Sequence, residues 1–367
     1  MNEFNDPFSV CFNILKMRYK DYDDSLTSKN FLFPNDKVNV FINLETVFKH
    51  LSMIYDLEKK IMTYKDFEVL TISNILNLAA HYKRFIAANL PDHRIYIYHT
   101  DLCSESDRFH QSLYNEDFRS YYLMKFNHNP KFILLSEKLK ESILPEVKTL
   151  CEFIPNLYYV SSNNIEGSLI PYVIAESDKS RKNLIIGGDL YDTQYSSIPN
   201  FVNHYINRTY NRNIILSDTK EYLKELFNND ENYLCNGGLD IFDNYNLYCS
   251  IISVIGDKQR SIEGISGYGP KTLKNNIDIA IGKNIIDGNI NSPSLIGNIF
   301  DDDDDKQEFI NNFYCTSVIS MYEELTDAEK SSIINQQIDR SDNNTLESLN
   351  RTMFVDHPLI LESLLYK

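Results

Sequence analysis

The chain has 367 residues, 43% of them hydrophobic, and a net charge of −16 at pH 7. That length holds one large domain or two smaller ones around a real core. The charge disfavours a protein that coats nucleic acid by bulk electrostatics, so any DNA contact must come from a local patch.

No apolar run approaches the ~20 residues of a membrane-spanning helix, so no membrane partner is expected. Six cysteines, Cys11, Cys103, Cys151, Cys235, Cys249 and Cys315, are scattered without a Cys-x-x-Cys pair. Neither a zinc site nor a disulfide framework is expected, and the thiols read as reduced and mostly buried, as in a cytoplasmic protein. Met1-Asn2-Glu3-Phe4-Asn5-Asp6 has no positive n-region, so no signal peptide is expected. Heavy use of Asn, Ile, Tyr and Asp with no Trp suits an AT-rich genome such as many phages and some parasites carry, and for a phage-encoded chain the expected compartment is the host cytoplasm.

In chain order, Val38-Asn39-Val40-Phe41-Ile42 is a short β-rich apolar run and reads as a first buried strand. A helix follows through about Tyr55, and residues 67–88 carry apolar side chains at helical spacing. Arg94-Ile95-Tyr96-Ile97-Tyr98 reads as a second strand ending at His99-Thr100-Asp101. Residues 102–135 are polar and aromatic and suit a helical excursion. Glu137 to Cys151 reads as an amphipathic helix, and Leu157-Tyr158-Tyr159-Val160 as a third strand. Ile165 to Glu176 is an expected helix that Pro171 should kink or restart. Asn183-Leu184-Ile185-Ile186 is a fourth strand, closed by Gly187-Gly188-Asp189. The alternation predicts an α/β layer architecture with a mainly parallel sheet flanked by helices. Chemistry then belongs at the carboxyl ends of the strands.

Residues 201–250 read as a helical insertion, with a late strand or turn near Leu239-Asp240-Ile241-Phe242. Residues 276–367 look mostly helical. The run Asp301-Asp302-Asp303-Asp304-Asp305 reads as a solvated loop rather than a metal site, because five adjacent carboxylates repel one another.

The most informative stretch is Ile262-x-x-Ile265-x-Gly267-Tyr268-Gly269-Pro270-x-x-Leu273. Two apolar residues three apart are expected to end a short helix. Gly-Tyr-Gly then makes a tight turn, and Pro270 opens a second helix at its first position. The glycines bring bare backbone N–H groups to the surface, and such a nest beside a helix N-terminus suits a phosphate oxygen. This is the pattern of a helix–hairpin–helix that grips DNA backbone. A plain glycine-rich turn is the bland alternative.

Strand ends, arch-like segment and hairpin, in this order over residues 38–280, resemble the flap endonuclease and 5′-3′ exonuclease family, with its PIN-like sheet. Gly256-Asp257 through Pro270-Lys271-Thr272 is similar to the family's "GDSSDNIPGVPGIGPKT". Gly188-Asp189 resembles its "GDKD" and Ile165-Glu166-Gly167-Ser168-Leu169 its "EADD". Ile42-Asn43 matches "IDG" weakly, and Tyr98-His99-Thr100 matches "FDG" weakly. Arg108, Tyr114 and Arg119 lie where the family carries a basic and aromatic motif before its arch. The resemblance implies three units: a nuclease-like α/β domain at 1–250 with an arch-like segment at about 102–135, a helix–hairpin–helix at 251–280, and a helical extension at 281–367.

The family hydrolyses phosphodiesters with two divalent ions about 4 Å apart, held mainly by carboxylates. Here Asn43 and His99 stand in the first two motifs. Ser168 and Leu169 replace two acids of the third, Tyr191 stands where a second Asp follows Asp189, and Arg260 replaces the acid after Asp257. Only Glu166, Asp189 and Asp257 survive by this matching, with Asp192 one residue off. A site of three carboxylates, one Leu and one Arg does not neutralise two divalent cations, so loss of hydrolysis is expected, with no resident metal or other cofactor. Mg²⁺ enters only if the site is a rearranged, active one. What the resemblance implies for binding is DNA held without sequence readout, through Gly264, Ser266, Gly267, Gly269, Lys271 and Thr272, with Lys258, Lys274, Arg108 and Arg119 beside them. The family's hairpin carbonyls often hold a monovalent cation, which is allowed here too. Two further readings stay open: an interaction subunit of a viral replication, transcription or virion assembly, and an active Mg²⁺-dependent 5′ nuclease.

Overall fold

A computed structural model describes residues 36–44, 92–100, 156–162, 165, 167–187, 190–205, 215–216, 245–256, 262–269, 271–273, 275–276 and 299–337, with helical positions between 141 and 152. Its centre is a six-stranded sheet of β1 (Val38–Asn43), β2 (His93–Thr100), β3 (Leu157–Ser162), β4 (Lys182–Gly187), β5 (Phe201–Tyr205) and β6 (Ile215–Leu216). The strand order is β3-β2-β1-β4-β5-β6. The first five run parallel, and only β6 is antiparallel to its neighbour. The four strands expected from the sequence are present, each within two residues of its expected ends. The expected helical insertion is corrected at its start: Phe201-Val202-Asn203-His204-Tyr205 is a fifth parallel strand beside β4. Phe201 at its start is buried in the sheet's core, against Tyr195 at 5.0 Å. The turn or strand expected at 239–242 lies outside the described residues.

Parallel strands buried on both faces are written as near-continuous apolar runs. On one face Val38, Val40, Ile42, Ile95, Ile97, Leu184 and Ile186 are buried. On the other, Phe41 stacks on Tyr96 at 5.0 Å, and Tyr96 on Tyr158 at 5.2 Å, so an aromatic row crosses three strands at one register level. Two turn residues, Asn156 and Asn200, take left-handed backbone (φ 64° and 66°). Their carbonyls accept from Ile95 and Asn183 at 2.7 Å, which extends the ladder by one bond ahead of β3 and β5. Asn tolerates that conformation better than other non-glycine residues.

The expected helix from Ile165 starts later. A 3₁₀ turn, Gly167–Leu169, leads into α1 (Ile170–Ser177), with Pro171 in its first turn, where a proline restarts a helix without losing a bond. After β4 come a short helix α2 (Leu190–Thr193) and a 3₁₀ turn Gln194–Ser197. Later helices are α3 (Tyr245–Ile255), α4 (Asp303–Thr316), α5 (Val318–Glu324) and α6 (Asp327–Ile334). The boundary expected at residue 250 falls inside α3.

Val318, Met321, Leu325 and Ile333 share one core with Phe41, Tyr96, Val160, Ile185 and α1. The C-terminal helices therefore complete the sheet's own core. A second core joins Leu247, Ile251 and Val254 of α3 with Ile265, Leu273, Phe300, Phe309 and Phe313. Tyr245, at the start of α3, packs against both. The aspartate run is corrected from loop to helix start. Asp302 is the N-cap of α4, its Oδ1 accepting from the Asp304 N–H at 2.7 Å, and Asp303, Asp304 and Asp305 form the first turn. Exposed carboxylates at a helix N-terminus offset the positive end of the helix dipole, which outweighs their mutual repulsion in water.

Candidate nucleic-acid interface

Two places gather the residues singled out in the sequence: the carboxyl edge of the sheet and the glycine turn beyond α3. With β1 between β2 and β4, successive strands are laid down on opposite sides of β1, and the crevice outside its carboxyl end is where open α/β sheets take ligands. Asn43 ends β1, half-buried. His99 is buried at the end of β2. Leu169 is fully buried in the sheet's apolar core, together with Ile170 and Val173. Ser168 is buried too, and its carbonyl accepts a hydrogen bond from the Tyr195 hydroxyl. Asp192, on α2 just past β4, is 1% exposed.

Tyr191 belongs to α2. Glu166, Asp189, Asp257 and Arg260 lie outside the described residues, as do Lys258, Lys274, Arg108 and Arg119. Among the described residues, no three His, Cys, Asp or Glu side chains come together as a metal site. The described edge offers Asp192, an amide, a histidine and a leucine. A pair of Mg²⁺ ions requires several carboxylates, and the acids that decide the matter here, Glu166, Asp189 and Asp257, are among those outside the described residues.

The edge is closed by contacts the sequence did not announce. Ser162 Oγ accepts the Ile165 N–H at 2.9 Å. Gln336, in the 3₁₀ turn after α6, clasps Ser161: its Nε2 donates to the Ser161 carbonyl at 2.9 Å, and its Oε1 accepts the Ser161 N–H at 3.0 Å. One side-chain amide thus stands in for a neighbouring strand at the exposed edge of β3.

The glycine turn is fixed from behind. Ile262 and Ile265 are buried, yet they do not end a helix as expected. They lie in irregular, extended backbone folded against the end of α3, with the Ile265 N–H donating to the Val254 carbonyl at 2.8 Å. The physical reason is close approach. A Cβ on Gly256 would lie 2.5 Å from the Gly264 nitrogen, and one on Gly264 would lie 2.5 Å from the Ile255 carbonyl oxygen. Two glycines let two backbone segments touch there, which a helix over 262–265 would prevent. Asn312 of α4 holds the same segment, donating to the Ser253 carbonyl at 3.0 Å and the Glu263 carbonyl at 2.9 Å.

Beyond Ile265 the chain turns outward. Gly267 has φ +85°, and nothing lies within 4 Å of where a Cβ would sit at Gly267 or Gly269. Ser266, Gly267, Gly269, Lys271 and Thr272 are exposed, while Leu273 returns to the core. Helical backbone resumes at 271–273, after Pro270, as expected. Tyr268 sits edge-on to Phe300 at 4.7 Å. Its hydroxyl pKa is raised by partial burial and by Asp305, Asp301 and Asp302. The field of the acidic run therefore reaches the turn.

No protein-family model matches the chain, and no curated protein matches it. Solved structures are similar in chain path at low identity. One is the bacteriophage T5 D15 protein co-crystallised with metal ions, at 14% identity and TM-score 0.49, covering 81% of this chain and 99% of that one. A T5 5′-exonuclease with bound zinc has 13% identity and TM-score 0.49, covering 89% and 99%. A T5 D15 flap endonuclease in a pseudo-enzyme–product complex with DNA and metal ions has 13% identity and TM-score 0.48, with the same coverage.

Proposed function

We propose that this chain binds DNA backbone through the turn at Gly264–Thr272 and no longer carries out metal-dependent phosphodiester hydrolysis. The observation that carries the binding half is Gly269. Its backbone needs no positive φ, and no described atom lies within 4 Å of where its Cβ would sit. Among the described residues nothing requires a glycine there, whereas a phosphate approaching the bare backbone would. Lys271 and Thr272 are exposed beside it. Loss of hydrolysis is supported by Leu169 in the apolar core and by Asn43 and His99 at strand ends where carboxylates would be needed.

A labelled 5′-flap duplex titrated in Mg²⁺ or Mn²⁺ and scored for binding and cleavage tests both halves. Binding without cleavage is expected, abolished by Gly267→Asp. Gly269→Ala should leave the melting temperature unchanged and weaken binding. Cleavage that disappears with Asp189→Ala would make the chain an active 5′ nuclease. Neither binding nor cleavage would favour an interaction subunit, a reading to which Ile310 and Tyr314 add weight: they lie one turn apart on α4, 40% and 46% exposed.

A further inference from the structure

One residue separates α4 from α5. Ser317 has extended backbone (φ −81°, ψ 114°) and is at once the C-cap of α4 and the N-cap of α5. No proline or glycine lies between Tyr314 and Ser320, so neither of the residues that ordinarily break a helix from within is present. The bonds on either side are helical. The Ser317 N–H donates to the Phe313 carbonyl at 2.9 Å, and the Met321 N–H to the Ser317 carbonyl at 3.0 Å. In an unbroken helix the N–H groups of Val318, Ile319 and Ser320 would donate four residues back, to Tyr314, Cys315 and Thr316.

Side chains take over those three bonds. Gln194 Oε1 accepts the Val318 N–H at 2.9 Å, the Tyr245 oxygen accepts the Ile319 N–H at 3.2 Å, and Ser317 Oγ accepts the Ser320 N–H at 3.2 Å. Gln194, fully buried, also donates from Nε2 to the Thr316 carbonyl at 3.0 Å and accepts the Tyr245 hydroxyl at 2.8 Å. Tertiary contacts therefore impose the bend. The local sequence allows a straight alternative, in which the same backbone groups are satisfied within one helix.

The bend is what delivers Val318, Met321, Leu325 and Ile333 to the sheet's core. With the bend straightened, one helix runs from Asp303 to Glu324 and carries α5 and α6 away from their own sheet. Their apolar side chains then need an acceptor of the same shape. A second copy of the chain offers one, the identical surface of Phe41, Tyr96, Val160 and Ile185. Contacts remade between two chains repeat those made within one, so exchange of an identical element is a low-cost route to a dimer.

We propose that Ser317 is a hinge, and that its straight form exchanges α5 and α6 between two copies of this chain. Gln194 and Tyr245 set the balance, because their bonds to the junction exist only in the bent form. The proposal stands apart from the DNA-binding reading.

Two lysines report the exchange. Lys330, on α6, places its Nζ 4.2 Å from the centre of the Tyr322 ring. Lys179, just past α1, reaches the same hydroxyl: burial and Glu176 raise its pKa, and Lys179 pulls it back. A short amine-reactive linker joining Lys179 to Lys330 therefore lies within one chain in the monomer and between two chains in the exchanged dimer. Unlabelled and heavy-nitrogen-labelled full-length chains are refolded together at high concentration, and the dimer is isolated by size exclusion and cross-linked. Linked peptides of mixed isotope are expected in the dimer and same-isotope peptides in the monomer. Gln194→Leu leaves the Val318 N–H and the Thr316 carbonyl unpaired in the bent form alone, and should raise the dimerisation constant at least about tenfold. Ser317→Ala removes the cap of α5 and favours helix through the junction. It should act in the same direction, and decides the matter if Gln194→Leu does not fold. Folded variants no more dimeric than the wild type overturn the proposal, as does a dimer that yields only same-isotope links.

Discussion

Single residues decide how tightly each part of this molecule is specified. Burial pushes the hydroxyls of Tyr96, Tyr159 and Tyr172 up to about 12 from an ordinary 10, with the Arg94 hydrogen bond pulling Tyr96 partly back. A raised pKa means that the folded state holds the proton more tightly. The stability from these groups is therefore complete below pH 10 and is lost as pH rises toward about 12. Alkaline titration followed by tyrosinate absorbance and circular dichroism should show these rings ionising only as the fold opens. Tyr96→Phe should move the opening to higher pH. At the other end of the sheet, Arg181 is 3% exposed and bonds Asp92 at 2.5 Å and Asp178 at 3.1 Å. Asp178 is held below its usual range, first by the Ser180 hydroxyl and then by Arg181. These groups fasten the amino end of β4 and leave the carboxyl end to the site.

At the scale of elements, the glycine turn and the N-terminus of α4 pull in opposite directions. In the proposed binding mode the turn takes a phosphate, yet beside partial burial Asp305, Asp301 and Asp302 help raise Tyr268, and beside burial Asp305 and Glu263 help raise Glu308. Like charge beside a phosphate site weakens it, within the about 8 Å over which physiological salt leaves exposed charges effective. Replacing Asp301 and Asp305 by Asn should therefore tighten DNA binding at low salt, with the gain shrinking as salt is added. Asp302 is left in place because Asp302→Ala removes the cap of α4, at a cost of about 1 kcal/mol. Unchanged affinity in the double Asn variant would mean that DNA does not approach this face. The capping box Thr326–Glu329 does the same local service for α6 without any charge conflict.

For the whole molecule, the sheet's core is closed by residues from the far end of the chain. Val318, Met321, Leu325 and Ile333 pack on α1 and the aromatic row, and Gln336 pairs the edge of β3. Each fully buried side chain of this size contributes about 1.5–3 kcal/mol, a large share of the 5–15 kcal/mol that holds a typical domain. A chain ended at Ser317 should lose cooperative thermal unfolding. A truncated chain that melts like the full one would show the helices to be a separable unit. The net charge of −16 is a property of this scale too: it leaves any grip on DNA to a local patch, so affinity should fall steeply with salt.

The four central strands, their parallel arrangement and the glycine-rich turn were determined by the sequence alone. Strands buried on both faces are near-continuous apolar runs, and Gly-Tyr-Gly-Pro has few backbone solutions. Gln194, Asn312 and Gln336 gave no such signal. Each is an ordinary polar residue until folding places it against backbone groups that would otherwise be unpaired. β5 was missed because Phe201-Val202-Asn203-His204-Tyr205 is short and carries polar residues at its centre, and the aspartate run was misread because the α4 backbone that its carboxylates stabilise is invisible to charge counting. Tertiary structure alone decided that Leu169 is core, that Gly264 is small because Ile255 needs the space, and that no described residue crowds Gly269. Local patterns fix local backbone. Only three-dimensional packing separates a glycine that makes room for its own chain, as Gly264 does, from one that no described neighbour crowds, such as Gly269.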